Sequence, residues 1–196
     1  MTGRGVIDAL LDAAKDWHST LPEAAGFCPW PDDLIWGERT PIWLNAAEFV
    51  QTNPGATSPQ STALLHAVQQ AAPHLHWRHG YSAEEVGQHF LDNFCWFELA
   101  GPDGHFLTQK TRITFGYWGP GLFYPRHHHI PEELYTVVSG QAVFHADGDA
   151  DALLTPGQTR FHAVNQPHAM TTRDHPILTL VFWRGGALAD GPSLSA

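Results

Sequence analysis

The chain has 196 residues, of which 43% are hydrophobic and 15% charged, which is the length and composition of one globular domain with its own core. Its formal net charge of −10 at pH 7 leaves no basic face for a nucleic acid and disfavours binding to anionic membrane surfaces. No stretch approaches the roughly 20 apolar residues of a membrane-spanning helix.

The two cysteines indicate in which cellular compartment the protein is expected. Cys28 and Cys95 are far apart, form no CxxC pattern, and follow a start that lacks the long apolar run of a secretory leader. Both are therefore expected to be reduced thiols in a soluble cytoplasmic protein, with a structural disulfide as the alternative.

Three segments of the first half carry apolar residues at helical spacing. Residues 6–17 and 61–72 each place their apolar side chains on one helical face, and the second segment follows a loop rich in Pro, Gly, Ser and Thr. Residues 82–93 open with Ser82 and Glu85, which have the spacing of a capping box at a helix start. These three segments are predicted to be α-helices.

After residue 93 the pattern changes to short segments rich in β-branched and aromatic residues. Seven strands are predicted: residues 95–100, 107–117, 132–138, 142–146, 159–164, 169–173 and 177–183. Turn sequences containing Gly, Pro or Asp separate them, which indicates an antiparallel sandwich or barrel. The predicted fold class is mainly β with a helical N-terminal region. Residues 1–93 are expected to pack on a β-barrel at 94–196 within one domain.

The residues that carry chemistry lie between positions 121 and 140. Side chains at i and i+2 share a face of a strand, so His127 and His129 point the same way, as do Glu133 and Tyr135. A turn at residues 130–131 can bring the two pairs together. Two imidazoles and a carboxylate that face into a barrel leave open coordination positions, as a catalytic metal requires.

A second source of histidine lies downstream. His168 begins a predicted strand after a tight Asn-Gln-Pro turn, so it is placed to complete the ligand set. Strand parity also allows His162 to share this face, but the intervening turn makes that parity unreliable.

The spacing G-x5-H-x-H-x3-E-x6-G over residues 121–140 resembles the first motif of the cupins at every defining position. The second cupin motif is met at Gly157 and His168. Its other positions, usually Pro, Gly and Asn, are here Ala163, Asn165 and Thr172. The resemblance implies a cupin fold, that is, a double-stranded β-helix or jelly-roll barrel.

A narrower resemblance rests on the run HHHIPEELY at residues 127–135, on Tyr124 upstream and on NQPHA at residues 165–169. These features resemble the bacterial dimethylsulfoniopropionate (DMSP) lyases of the DddQ type, which cleave DMSP to dimethyl sulfide and acrylate. The resemblance implies one divalent metal ion and a tyrosine base. By position, the implied ligands are His129, Glu133 and His168, with His127 as a further or alternative ligand, and the implied catalytic residues are Tyr135 and Tyr124.

The chemistry of such a reaction fits these residues. A divalent ion bound to the substrate carboxylate would act as a Lewis acid, and a nearby cation favours the phenolate of a tyrosine, which otherwise titrates near ~10. His and Glu ligands favour Zn²⁺ or Fe²⁺ and also accept Mn²⁺, Ni²⁺ and Co²⁺.

Aromatic faces attract a sulfonium cation through the ring quadrupole. The candidate substrate-binding residues are Tyr117, Trp118, Phe123 and Trp183, with Tyr124 beside them. The alternative for each is a core aromatic. The irregular segment 27–44, which contains three tryptophans, is a candidate lid over the barrel mouth.

Other functions remain open for this ligand set. An iron dioxygenase or a sugar isomerase is the alternative among enzymes, and a non-catalytic, metal-bound cupin that binds a small molecule is the alternative from another class. Tyr135 beside Glu133, together with Tyr124, favours the lyase, because neither alternative needs a basic phenol at the metal. Cupins often pair, so a homodimer is one expected assembly.

Overall fold

The computed structural model describes residues 2–195. Within this range the first half contains six α-helices and a 3₁₀ turn at Ala72–His74. The helices are α1 (Gly3–Ser19), α2 (Pro22–Phe27), α3 (Asn45–Thr52), α4 (Thr62–Ala71), α5 (Ala83–Val86) and α6 (Gln88–Asn93).

The helices predicted at residues 6–17 and 61–72 are confirmed as α1 and α4. Helix α1 begins where the Thr2 hydroxyl accepts a hydrogen bond from the Gly5 amide at 3.3 Å, a side-chain cap of the first turn. The single helix predicted at residues 82–93 is wrong in part, because the chain breaks at Gly87, where φ is +82°, into α5 and α6. The Ser82–Glu85 capping box is present at its start.

The described chain has twelve strands. They are β1 (Ile35–Trp36), β2 (Phe94–Gly101), β3 (Phe106–Leu107), β4 (Arg112–Trp118), β5 (Phe123–His128), β6 (Glu132–Gly140), β7 (Ala142–Ala146), β8 (Ala152–Leu154), β9 (Thr159–His162), β10 (His168–Thr171), β11 (Ile177–Arg184) and β12 (Ser193–Leu194). The strand predicted at residues 107–117 is two strands, β3 and β4. Strand β1 lies in the half expected to be helical.

The strands form two sheets, ordered β1-β3-β2-β4-β11-β6-β9 and β12-β5-β10-β7-β8. All pairs are antiparallel except β2 with β3. The sheets face each other across an apolar core, where the ring of Tyr135 on β6 lies 5.3 Å from that of Phe144 on β7. This is a jelly-roll barrel, the fold class expected from the sequence.

A second core lies on the other face of the seven-stranded sheet. Leu10, Leu64 and Val68 of the helices pack there against Phe115 and Leu180 of β4 and β11. The helical region therefore covers one face of this sheet and leaves the opposite face to line the barrel.

This two-sided burial corrects the role expected for Tyr117. Strand β4 alternates, so Thr114, Gly116 and Trp118 face the barrel interior while Phe115 and Tyr117 face the helices. The Tyr117 hydroxyl donates to the Asn53 carbonyl at 2.9 Å. Tyr117 is a core residue outside the barrel.

The lid expected at residues 27–44 is also corrected. Trp30 packs on His18 and Phe182 at the helix-facing side of the sheet, and Trp36 packs on Phe106. The segment lies against the outside of the barrel wall.

Cys28 and Cys95 are both buried free thiols, as expected. None of the helices in residues 2–195 combines the length with the apolar character that a membrane span needs.

Candidate metal centre

Four histidines and one glutamate meet inside the barrel. His127 and His168 lie directly opposite each other on β5 and β10, and Glu133 and His162 do so on β6 and β9. His129 follows the end of β5. All five residues are at most 5% exposed. The cluster therefore joins the two sheets at one level of the barrel.

Strand alternation places the consecutive histidines as expected. His127 and His129 face inward with ring centroids 6.3 Å apart, whereas His128 faces away, its Nδ1 hydrogen-bonded to the Ser195 hydroxyl at 2.9 Å. The predicted ligands His127, His129, Glu133 and His168 are brought together. His162, which parity left undecided, joins them.

One carboxylate oxygen is the centre of this cluster. Glu133 Oε2 lies 3.3 Å from His129 Nε2, 3.1 Å from His168 Nε2 and 2.9 Å from His162 Nδ1. The potential ligand atoms of His127, His129 and His168 lie within 4.8 Å of one another, as do those of Glu133, His162 and His168. Such convergence is what a single ion requires.

Backbone carbonyls orient three of the imidazoles. Nδ1 of His127 donates to Pro125 O, Nδ1 of His129 to Pro131 O, and Nδ1 of His168 to Gln166 O, each at 2.8 Å. Each acceptor is only two residues away, so the local turns of the chain fix the rings. With Nδ1 protonated, the Nε2 lone pair of each ring is free to bind a metal, the arrangement typical of metal-ligating histidine.

The residues present fit a divalent ion. Among the described residues, the buried Nε2 atoms of His129, His162 and His168 have no hydrogen-bond partner. A buried polar atom left unpaired costs about 1–3 kcal/mol, and a bound cation would remove that cost for the atoms it contacts. Imidazole and carboxylate are the donors that Zn²⁺, Fe²⁺ and their neighbours prefer.

The electrostatics of the cluster favour an ionised Glu133 and neutral His127 and His162. Burial opposes the charge of Glu133, but the neighbouring His129, His162 and His168 hold the pKa of its carboxyl well below the usual range. Burial lowers the pKa of His127 well below its usual value and that of His162 to about 4. Near neutral pH the site therefore offers a carboxylate beside the neutral imidazoles of His127 and His162. Burial opposes the charge of His129, but the neighbouring Glu133 carboxylate outweighs it and raises the pKa of His129.

A cavity of about 120 Å³ opens beside Glu133 and His127, and aromatic side chains form a large part of its wall. Its aromatic lining residues are Tyr81, Phe94, Trp96, Trp118, Tyr124, Tyr135 and Trp183. Of the predicted substrate-binding residues, Trp118 and Trp183 therefore line the cavity. Phe123 does not, because its neighbour Tyr124 takes the inward position on β5 and leaves Phe123 56% exposed.

Two tyrosines stand at the border of the cluster and the cavity. The Tyr124 ring lies 4.2 Å from the His127 ring, and its hydroxyl is hydrogen-bonded to that of Tyr81 at 2.8 Å. Burial raises the pKa of Tyr124 and of Tyr135 well above the usual value, and the charge of Glu133 adds to the effect at Tyr135. A phenolate at Tyr135 therefore requires a positive charge close by.

Among the described residues that line the cavity, Arg112 is the one arginine or lysine. Its guanidinium lies over the rings of Trp96 and Trp183, at 5.2 and 5.0 Å from their centroids, and pairs with Glu98 at 2.9 Å. It also donates to the carbonyls of Leu188 and Asp190. Arg112 thus ties the cavity wall to the C-terminal segment.

Comparison with known proteins was decisive for the family. The family model described as dimethylsulfoniopropionate lyase matches residues 31–179. The chain belongs to the DMSP lyase family.

Individual relatives agree with this assignment. This DMSP lyase family member is 34% identical to dimethylsulfoniopropionate lyase DddQ of Ruegeria pomeroyi over 176 residues, which is 90% of this chain and 88% of DddQ. It superposes on the crystal structure of DddQ from the same bacterium with a TM-score of 0.93, at 32% identity and 97% and 96% coverage. A chain from the crystal structures of the DMSP lyases RdDddP and RnDddQII gives a TM-score of 0.97 at 55% identity, with both chains fully covered.

Sequence reasoning missed several residues of this family member's site. His162 was left undecided, and Tyr81, Phe94, Trp96 and Arg112 were not foreseen. The last four residues reach the cavity from a loop, from β2 and from β4. These elements are far from β5 and β6 in the sequence, and only the order of the strands in the sheets brings their side chains together. The one usable signal was the six-residue spacing of His162 and His168, which is compatible with a shared face.

Proposed function

We propose that this member of the family is a metal-dependent DMSP lyase, which splits DMSP into dimethyl sulfide and acrylate. The observation that carries the proposal is a buried His/Glu cluster that opens directly onto an aromatic cavity with two tyrosines at the border. A zwitterion with a carboxylate at one end and a sulfonium at the other matches this division of the site.

His129, Glu133 and His168 would hold the ion, with His127 as a further ligand. Zn²⁺ and Fe²⁺ are the first candidates, and Mn²⁺, Ni²⁺ and Co²⁺ suit the same donors. When bound, the ion supplies Lewis acidity that draws charge from the substrate carboxylate. The burial of all four residues keeps water from competing strongly for this position.

The aromatic wall binds the other end of the substrate. Phe94 and Trp118 line the cavity, and an aromatic face there can contribute about 0.5–2 kcal/mol of cation–π attraction to a sulfonium. The guanidinium of Arg112 does not oppose this strongly, because it is paired with the buried Glu98. The substrate is therefore oriented with its carboxylate toward the histidines.

Tyr135 is the proposed base. It lies two residues from Glu133 on β6 and lines the cavity, so its oxygen can approach the carbon next to the substrate carboxylate. The phenolate takes a proton from this carbon. The electrons of the broken C–H bond form the C=C bond of acrylate, and the electrons of the C–S bond leave on the neutral sulfide. Tyr124 on β5, whose hydroxyl is hydrogen-bonded to that of Tyr81, would take part in the proton transfer from the other sheet.

Headspace detection of dimethyl sulfide tests this proposal. Purified protein supplied with Zn²⁺ or Fe²⁺ and DMSP in a sealed vial should release the gas, and chelation or Tyr135→Phe should abolish the release. Exclusion of oxygen should not change it. Release that requires oxygen would favour a dioxygenase, and substrate binding without any product would favour a non-catalytic cupin; either result would sink the proposal.

The cytoplasmic location, the homodimer and the lack of nucleic-acid or membrane partners expected from the sequence stay predictions. Gel filtration of the metal-loaded protein measures the assembly directly.

A further inference from the structure

Both oxygens of the Glu133 carboxylate are held by a side chain from a neighbouring strand. The Trp183 indole Nε1 on β11 donates to Oε1 at 2.7 Å, and His162 Nδ1 on β9 donates to Oε2 at 2.9 Å. Both pairs are direct cross-strand partners, since Trp183 and His162 flank Glu133 on either side of β6. The three side chains form one row across the seven-stranded sheet.

The donors leave Glu133 little freedom. An indole N–H can only donate, so Oε1 is committed to Trp183. With Oε1 held there, Oε2 is the oxygen that faces His129 and His168, at 3.3 and 3.1 Å from their Nε2 atoms. All of these side chains are buried, at most 8% exposed.

His162 has a different geometry from the other histidines. Nδ1 of His127, His129 and His168 donates to a backbone carbonyl, whereas Nδ1 of His162 donates to the carboxylate itself. Nε2 of His162, which also has no hydrogen-bond partner among the described residues, lies on the opposite side of the ring from Nδ1 and so points away from Glu133 Oε2. The Nε2 atoms of His129 and His168, in contrast, face that oxygen. The position of His162 therefore suits an outer partner of a ligand better than a ligand.

We propose that Trp183 and His162 are positioning residues that clamp Glu133, one on each oxygen, so that Oε2 stays directed at the metal position. The proposal rests on the metal centre of the proposed function. It gives Trp183 and His162 a second role, the orientation of a ligand, in addition to their places beside the cavity and in the cluster. Outer partners of this kind typically change metal affinity by about 10- to 100-fold when they are removed.

Metal affinity without substrate is the direct test for Trp183. The metal-free protein is titrated with Zn²⁺ in competition with a chromophoric chelator. Trp183→Phe keeps a ring in the wall but removes the N–H, so the dissociation constant should rise about 10- to 100-fold. Trp118→Phe is the matched control, because the Trp118 indole N–H is buried without an acceptor among the described residues; its dissociation constant for Zn²⁺ should not change.

A pair of variants separates the two roles open to His162. Asparagine can place an N–H near the position of Nδ1, whereas alanine cannot, so His162→Asn should bind Zn²⁺ within about threefold of wild type and His162→Ala should lose about 10- to 100-fold. Equal losses in both variants would make His162 a ligand and overturn its positioning role. Thermal unfolding of each metal-free variant shows whether it folds. If Trp183→Phe does not fold, the two His162 variants still test the proposal.

The outcomes are distinguishable from failure of the proposed function. Wild-type protein that binds no Zn²⁺, Fe²⁺ or Mn²⁺ would remove the metal centre itself. If Trp183→Phe and His162→Ala bind Zn²⁺ as tightly as the wild-type protein does, the metal centre is retained and the clamp is overturned.

Discussion

The Glu133 carboxylate receives contacts from several strands of the barrel. The residue lies on β6, and its carboxylate meets His162 of β9, His168 of β10 and Trp183 of β11. His129, just beyond β5, completes the set. Its neighbour Glu132 has the opposite parity and pairs with Arg184. Two adjacent glutamates thus have different environments, which allows a matched comparison.

Glu133→Gln should greatly weaken metal binding, because it removes the only carboxylate of the cluster among the described residues and its negative charge. A loss of at least about 100-fold in Zn²⁺ affinity is expected, beyond the effect of removing an outer partner. Metal content after dialysis measures it.

Glu132→Gln is the control for that experiment, since the side chain pairs with Arg184 away from the cavity. It should retain wild-type metal content. Equal metal content in Glu133→Gln and wild type would contradict the ligand role of Glu133.

At this scale the sequence predicted what is local along the chain. The inward direction of His127 and His129 follows from the two-residue period of one strand. The contacts of Glu133 with His162 and Trp183 depend on which strands are neighbours and in what register. That information is not contained in the spacing of residues, so the clamp could not be foreseen.

Strands β4 and β11 show why one aromatic was misplaced. Both strands are buried on two faces, one against the helices and one in the barrel. A strand of this kind is apolar throughout, so alternation of polar and apolar residues does not reveal which face is which. Tyr117 and Trp118 were therefore equivalent in the sequence, although only Trp118 reaches the cavity.

The two glycines that bound the first cupin motif are expected to differ in importance. Both have positive φ, +76° at Gly121 and +72° at Gly140. A Cβ at Gly140 would lie 1.8 Å from the Pro176 carbonyl oxygen at the start of β11, whereas one at Gly121 would meet nothing within 4 Å. Gly140 thus permits the close approach of the β6 end to the chain before β11.

Gly140→Ala should lower the free energy of unfolding by about 2–4 kcal/mol, since backbone clash adds to the φ strain. Gly121→Ala should lose only about 1–2 kcal/mol from the strain alone. Urea unfolding of both variants measures the difference. Equal losses would show that the contact with Pro176 does not matter.

His105, in the connection between β2 and β3, gives a pH dependence that is independent of the metal centre. Burial and the neighbouring cationic side chains lower its pKa to about 4, and its Nε2 accepts a hydrogen bond from the His76 amide at 3.2 Å. The unfolded chain binds a proton at His105 near pH 6.5, whereas the folded chain does not until about pH 4. Stability from this group is therefore complete above pH 6.5 and is lost as the pH falls toward 4.

His105→Gln, which keeps an acceptor for the His76 amide, should remove this dependence. Between pH 7.5 and pH 5 the free energy of unfolding of wild type should fall by about 2 kcal/mol more than that of the variant. Urea unfolding at the two pH values tests this. Parallel losses in both proteins would mean that His105 takes up its proton in the folded state.

The whole molecule is a barrel with one wall shared by two cores. Helices α1 and α4 cover the outer face of the seven-stranded sheet, and its inner face lines the cavity and carries Glu133. The five-stranded sheet supplies His127 and His168 from the opposite side. The mainly β fold with a helical N-terminal region was predictable, because the helical spacing of apolar residues ends near residue 93. Short segments separated by turn residues follow it.

What could not be predicted at this scale is how the irregular segments pack. Residues 27–44 carry large aromatics, which suggested a lid, but Trp30 and Trp36 pack against Phe182 and Phe106 on the outside of the sheet, and Trp43 is exposed. Composition cannot distinguish two apolar surfaces that compete for the same segment.

The central claim is that imidazoles from one sheet and a carboxylate from the other bind a single ion. Anomalous diffraction at the zinc edge, from crystals of the Zn²⁺-loaded protein, tests it most directly. One peak is expected, about 2.0–2.2 Å from His129 Nε2, His168 Nε2 and Glu133 Oε2, with the Tyr135 phenol on its cavity side. A zinc peak elsewhere in the molecule, with these three side chains binding nothing, would contradict the account.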